Sequence, residues 1–124
     1  MSKLFILAGS FIGAITVGIG AFGAHSLKNF LENAGRIDTF ETAVKYQFYH
    51  VFALILLGIV MQKAENQYFT ISGWLFLAGI TIFSGSLYVL CFTGIRWLGA
   101  ITPFGGLAMI GGWLFLAYGV WKTY

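Results

Sequence analysis

Four stretches of this chain are each long and apolar enough to cross a membrane as a helix. They run over residues 4–24, 46–61, 71–92 and 101–121. Crossing a hydrocarbon layer of about 30 Å takes about 20 predominantly apolar residues. Within lipid only helices and closed barrels satisfy every backbone N–H and C=O. These runs are rich in Leu, Ala and Gly and none reads as a strand, so the expected fold is all-α. The second run is short, but Asp38 followed by Glu41 has the spacing of a capping signal and moves its start to about Thr39. The fourth opens on Thr102-Pro103, a hydroxyl cap and a proline suited to a first turn. The spans are thus expected at 4–24, 39–62, 71–92 and 101–121 of a single domain covering residues 1–124.

Composition agrees. Only 9% of residues are charged, where a soluble domain carries about 25%. Thirteen Phe, six Tyr and four Trp suit a lipid-facing surface with interfacial aromatics. A lone Cys91 excludes an internal disulfide and a multi-cysteine metal site. The net charge of +3 is scattered over segment ends, which argues against nucleic acid as a partner.

The first run could be mistaken for a cleaved signal peptide, but five glycines interrupt it where a signal core is leucine-rich, and it is expected to be retained. Gly9 and Gly13 form a GxxxG pair, with Ser10, Ala14 and Gly18 as a second row of small residues, the pattern that lets helix backbones approach in lipid. Between the first two spans, Leu27, Phe30 and Leu31 share one face of a short amphipathic helix over 26–34, ended by Ala34-Gly35, which should lie along the headgroup boundary. The other connections are short, so the expected architecture is an up-down-up-down four-helix membrane bundle. The hexapeptide GWLFLA occurs at Gly73–Ala78 and again at Gly112–Ala117, without the matched interruptions of an inverted-repeat transporter, and reads as coincidence of composition.

Alternating directions bring four helix ends to one membrane face, and the polar residues gather there. His25 follows the first span; Tyr46, Gln47, Tyr49 and His50 open the second; Ser84, Ser86 and Tyr88 fall in the second half of the third; Arg96 follows it and Thr102 opens the fourth. Tyr46, Tyr49 and His50 have i, i+3, i+4 spacing and so one stripe. These ten residues form a candidate polar site. Its bland reading is a hydrogen-bonded plug with interfacial tyrosine anchors, because a polar group in hydrocarbon must face the interior and find a partner.

The blocks GAFGAH (Gly20–His25), YQFYH (Tyr46–His50), FSGSLY (Phe83–Tyr88) and ITPFGG (Ile101–Gly106), then Gly112-Trp113, resemble the motifs of domain-of-unknown-function family 423 over nearly the whole chain. The family comprises small bacterial membrane proteins, similar also to eukaryotic transmembrane protein 256. The resemblance implies a four-helix protein of the bacterial plasma membrane and supplies no reaction. It adds Pro103 to the candidate residues, and leaves Gly20, Gly23, Gly85, Gly105 and Gly106 as helix-packing positions beside Gly9 and Gly13.

The function expected first is non-enzymatic action through a homo-oligomer or a membrane protein partner, with membrane lipid as the surrounding ligand. A small transporter or channel is the alternative, although Glu32, Asp38, Glu41 and Glu65 all lie in connections and leave no carboxylate at the membrane centre. A lipid- or lipophile-binding role for the cluster, with a headgroup near Arg96 or Lys45, is the other. Two histidines without a carboxylate or thiolate companion do not make a metal site, and no third group orients an imidazole toward Ser84 or Ser86. No catalytic residue, metal or cofactor is therefore expected. Lys3 beside the amino terminus favours cytoplasmic termini.

Overall fold

The structure, a computed structural model, describes residues 1–124, and every regular element in it is helical. The elements are α1 (Ser2–Ala24), the short α2 (Lys28–Ala34), α3 (Ile37–Lys63), α4 (Gln67–Gly79), α5 (Gly85–Thr93) and α6 (Thr102–Thr123). A single π-helical turn, Ile80–Ser84, joins α4 to α5 as one continuous span, and a 3-10 turn, Arg96–Ala100, leads into α6. Four segments therefore have the length and apolarity to cross a bilayer, in alternating directions.

The spans exceed the apolar runs that announce them. At 1.5 Å per residue the 27 residues of α3 reach about 40 Å. The cause lies at its start. Gly35 ends α2 in the left-handed conformation (φ 68°), and its N–H bonds back to Glu32. The chain then enters α3 at once, because Phe40 is buried against Leu31 of α2 and Cys91 of α5. Asp38 sits inside the first turn rather than capping it, and no side chain caps α3, so the capping signal is misread although a carboxylate there still complements the helix dipole. Thr102 is likewise no cap. Its hydroxyl turns inward to Ser86 while Pro103 occupies the first turn.

The short α2 is docked rather than free on the headgroup boundary. Leu31 is buried, and Phe30, half-exposed, stacks on Phe92 with ring centroids 5.8 Å apart.

In the bundle α1 lies along α3, α4 lies along α6, and α3 meets the third span between them. The core runs through the middle: Phe5, Leu54, Leu57, Phe69, Phe76 and Met109. Because lipid tails are as apolar as leucine, close packing holds such helices together. Gly9 and Gly13 both face α3, and a Cβ at Gly9 would lie 2.8 Å from Ile55 and 3.2 Å from the Val51 carbonyl. That pair is spent on an intramolecular contact. Gly23 admits the Phe40 ring and Gly105 the backbone of Phe83, but Gly20 and Gly106 make only ordinary contacts, at 3.6 Å to Val44 and 3.9 Å to Phe83. Gly85 has nothing within 4 Å and is no packing position.

The repeated hexapeptide has a shared structural use after all. Gly73 admits the ring of Phe5 and Trp74 sets its edge on that ring; Gly112 admits Phe76 and Trp113 does the same, at centroid distances of 5.9 and 5.1 Å. Two seams use one device: a glycine makes room for a phenylalanine, and the next residue covers it.

Candidate functional site

His50 stands at the midpoint of α3, thirteen residues from either end. That is about 20 Å along the helix axis from its start. His25 follows the last residue of α1 and is exposed at the bundle's end. The two imidazoles thus do not share a rim. Its polar neighbours group His50 with the residues that open the span, but the expected bounds, 39–62, already centre on it, and α3 over Ile37–Lys63 keeps it at the middle.

Its ring is held at both nitrogens. Nδ1 lies 2.7 Å from the Tyr46 carbonyl oxygen, which only accepts, so Nδ1 carries the proton. Nε2 then accepts from Nε1–H of Trp113 at 3.1 Å. The backbone carbonyl one turn back selects the tautomer, and α6 supplies the donor that this tautomer needs. A second proton on Nε2 would set two N–H groups facing each other. The Phe76 ring covers the pair, with its centroid 5.6 Å from the imidazole.

A second unit crosses three helices. The Tyr88 hydroxyl of α5 donates to Oε1 of Gln47 at 2.7 Å, and Nε2 of Gln47 donates to Oγ1 of Thr16 on α1 at 2.6 Å. Thr16 passes its own proton to the Ile12 carbonyl at 2.6 Å. Each hydroxyl and amide faces a complementary partner, so the direction of every bond is determined. A third unit ties the third span to its neighbours: Ser84 donates to the Ala43 carbonyl of α3 at 2.7 Å, and Ser86 shares a 2.6 Å hydrogen bond with Thr102 of α6. The π turn ends at Ser84, while Phe83 within it meets Gly105 of α6 and stacks on Tyr46 of α3, 4.7 Å between centroids. Every buried side-chain nitrogen and oxygen has a partner.

Six candidate residues, Gln47, His50, Ser84, Ser86, Tyr88 and Thr102, thus enter short hydrogen-bonded units, and four do not. His25, Tyr49 and Arg96 are exposed and make no side-chain hydrogen bond, and Tyr46 contributes its carbonyl and its ring. Helical spacing puts Tyr46, Tyr49 and His50 on one stripe, but the buried face of α3 passes through Gln47, His50 and Leu54, leaving Tyr49 to lipid. Pro103 is exposed in its first turn. Thr16 and Trp113 are the partners that sequence reasoning missed. A lone threonine inside an apolar span was the available signal, since such a group must find an interior acceptor. A further seam, also unforeseen, lies toward the termini: Ser72 donates to Gly112 at 2.6 Å, and Asn66 both caps α4 and reaches Gly119 of α6.

This arrangement is solid. None of the three principal clefts is lined by His50, Gln47, Ser84, Ser86 or Tyr88. Replacing Trp113 by Phe keeps the edge-on packing but leaves Nε2 of a buried imidazole without a donor. The expected cost is about 1 kcal/mol, as for other interhelical hydrogen bonds in lipid. Reversible unfolding in mixed micelles measures it, and a Trp113→Phe protein as stable as wild type would show that the bond adds nothing.

The blocks that carry these units also identify relatives. Residues 19–106 match the model of the family described as "Protein of unknown function (DUF423)". A UPF0382 membrane protein of Staphylococcus haemolyticus is 45% identical over 120 residues, 97% of each chain. The UPF0382 membrane protein YwdK of Bacillus subtilis is 41% identical over 115 residues, 92% of this chain and 93% of its own. No solved structure matches. With four membrane-length helices and full-length similarity to named membrane proteins, this chain belongs to the DUF423 family of membrane proteins of unknown function.

Proposed function

We propose that this protein is a non-enzymatic membrane component that acts by associating, through α1, with a second copy of itself. The observation that carries this reading is the unequal use of the two small-residue rows on α1. Gly9 and Gly13 are consumed by α3, whereas Ser10 and Ala14 are exposed and nothing lies within 4 Å of a Cβ at Gly18. In lipid, a row of small residues spaced by four is the surface on which backbones approach. Its own hydroxyl is already quiet, because Ser10 donates to the Ile6 carbonyl one turn back.

The polar units support the same reading by what they leave unavailable. An imidazole with both nitrogens engaged offers neither a general base nor a titrating group to a pore, and the serines bond to backbone carbonyls and, for Ser86, to the Thr102 hydroxyl rather than to His50. Their work is to lock the four helices in register. The protein's location is the plasma membrane, with both termini on the cytoplasmic side; labelling of cysteines introduced at Lys3 and Lys28 tests that orientation.

The association test uses an Ala14→Leu/Gly18→Leu variant. Wild type should run as a dimer by light scattering in mild detergent and cross-link through an introduced Ala14→Cys. The leucine variant should be mainly monomeric with unchanged helical content. A wild type that is monomeric at every detergent ratio defeats the reading.

A further inference from the structure

The largest of the three principal clefts is far from His50. It opens where the end of α1 meets α2 and the start of α3, and it encloses about 410 Å³, within the roughly 300–1,000 Å³ of ligand sites. Glycines account for its depth. Gly20 and Gly23 present no side chain on α1, so the furrow runs between bare backbone and the Phe40 and Val44 side chains of α3. Leu31 of α2 closes one end, and the rim carries Lys28, Lys45 and Glu41.

Neither lysine has a carboxylate within 4.0 Å, since the one ion pair in the chain joins the amino terminus to Glu65 at the opposite face. Lys45 lies two turns inside α3, about 12 Å along the axis. A lysine at that depth extends its stem along apolar surface and brings its ammonium back to the headgroup level. Lys28 begins α2 at that same end of the bundle.

We infer that this groove binds an anionic phospholipid, with an acyl chain in the glycine-floored furrow and the phosphate between Lys28 and Lys45. The rim sums to one positive charge, two lysines against Glu41, which complements a single phosphodiester. Glu41 opposes a second negative charge at the rim but accepts from a headgroup that donates from hydroxyls, as glycerol does. The occupant is therefore of the phosphatidylglycerol class. This inference is independent of self-association, because the groove lies on the α3 side of α1 and uses none of Ser10, Ala14 or Gly18.

The test is native mass spectrometry of detergent-purified full-length protein, titrated with dioleoyl phosphatidylglycerol and with dioleoyl phosphatidylcholine. Wild type should retain the glycerol lipid at least about fivefold better, the attraction of one basic residue to an anionic surface. Lys28→Gln/Lys45→Gln should abolish that preference, and Gly20→Leu, which fills the furrow, should lower retention of both lipids. Arg96→Gln removes an exposed cation from the same face outside the groove and should leave the preference intact. Equal retention of the two lipids by wild type overturns the proposal, making the cleft a general acyl-chain slot. A preference that survives in the double lysine variant, or falls as far in Arg96→Gln, overturns it as diffuse surface attraction. Should Gly20→Leu lose helical content, the lysine and arginine variants decide alone.

Discussion

Gly105→Ala should destabilise the bundle by about 3 kcal/mol, while Gly106→Ala, the same change one residue along, should be neutral or stabilise it slightly. The difference lies in what each new methyl meets. At Gly105 it would collide with the backbone nitrogen of Phe83 and come within 2.8 Å of that residue's Cα and Cβ. Backbone cannot rotate away as a side chain can, so α6 must move off the π turn. The move also disturbs the Ser86–Thr102 bond nearby and the contact of Gly79 with Met109 and the Gly105 carbonyl. At Gly106 the nearest atom is the edge of the Phe83 ring at 3.9 Å, an ordinary contact. There the substitution only removes the conformational freedom of glycine, a gain of about 0.5–1 kcal/mol in a helix interior. Unfolding titrations of the two variants side by side give the comparison without an absolute scale. Equal stabilities would mean that α6 does not approach the third span at Gly105.

Gln47→Ala should cost about 3 kcal/mol, from a lost core volume and a stranded hydroxyl together. Gln47 is only 5% exposed and is the one side chain that hydrogen-bonds to both α1 and α5. Without it Thr16 keeps its bond to Ile12, but the Tyr88 hydroxyl has no acceptor. Gln47→Leu separates the two contributions. It restores most of the volume and none of the hydrogen bonds, so about 1–2 kcal/mol of loss should remain. A double-mutant cycle with Tyr88→Phe then isolates the bond itself, expected near 0.6–1.7 kcal/mol. If Gln47→Leu proves as stable as wild type, the three-helix chain contributes nothing net and the polar cluster cannot be what locks the bundle.

How far the cluster was legible depends on the residue. Thr102 could be assigned to one face because it opens its span, and Ser86 because it lies only about two turns from the end of the third. His50 is central in both the expected span, 39–62, and α3, and it groups with the rim only because polar residues lead up to it, from Lys45 to Gln47 and again at Tyr49. Tyr49 and Gln47 differ by two positions, yet one faces lipid and the other lies between α1 and α5. Helical spacing defines stripes but carries no sign for which stripe turns inward when Tyr, Phe and His are all acceptable at an interface. Gly85 reads like Gly105 in sequence. It opens on empty space because close approach belongs to a pair of helices rather than to a residue.

By itself the sequence determined that the chain is helical, that it crosses the bilayer four times and that consecutive spans alternate in direction, because apolar length and the backbone's need for internal hydrogen bonds leave no other solution in lipid. Only the tertiary structure decided which polar groups meet. It joins His50 to Trp113, and Thr16 to Tyr88 through Gln47, and leaves the open space at the glycine-floored groove instead. Partners 31 to 63 positions apart come together through the rotation and depth of whole helices, and those follow from the summed packing of many small contacts that no local pattern encodes.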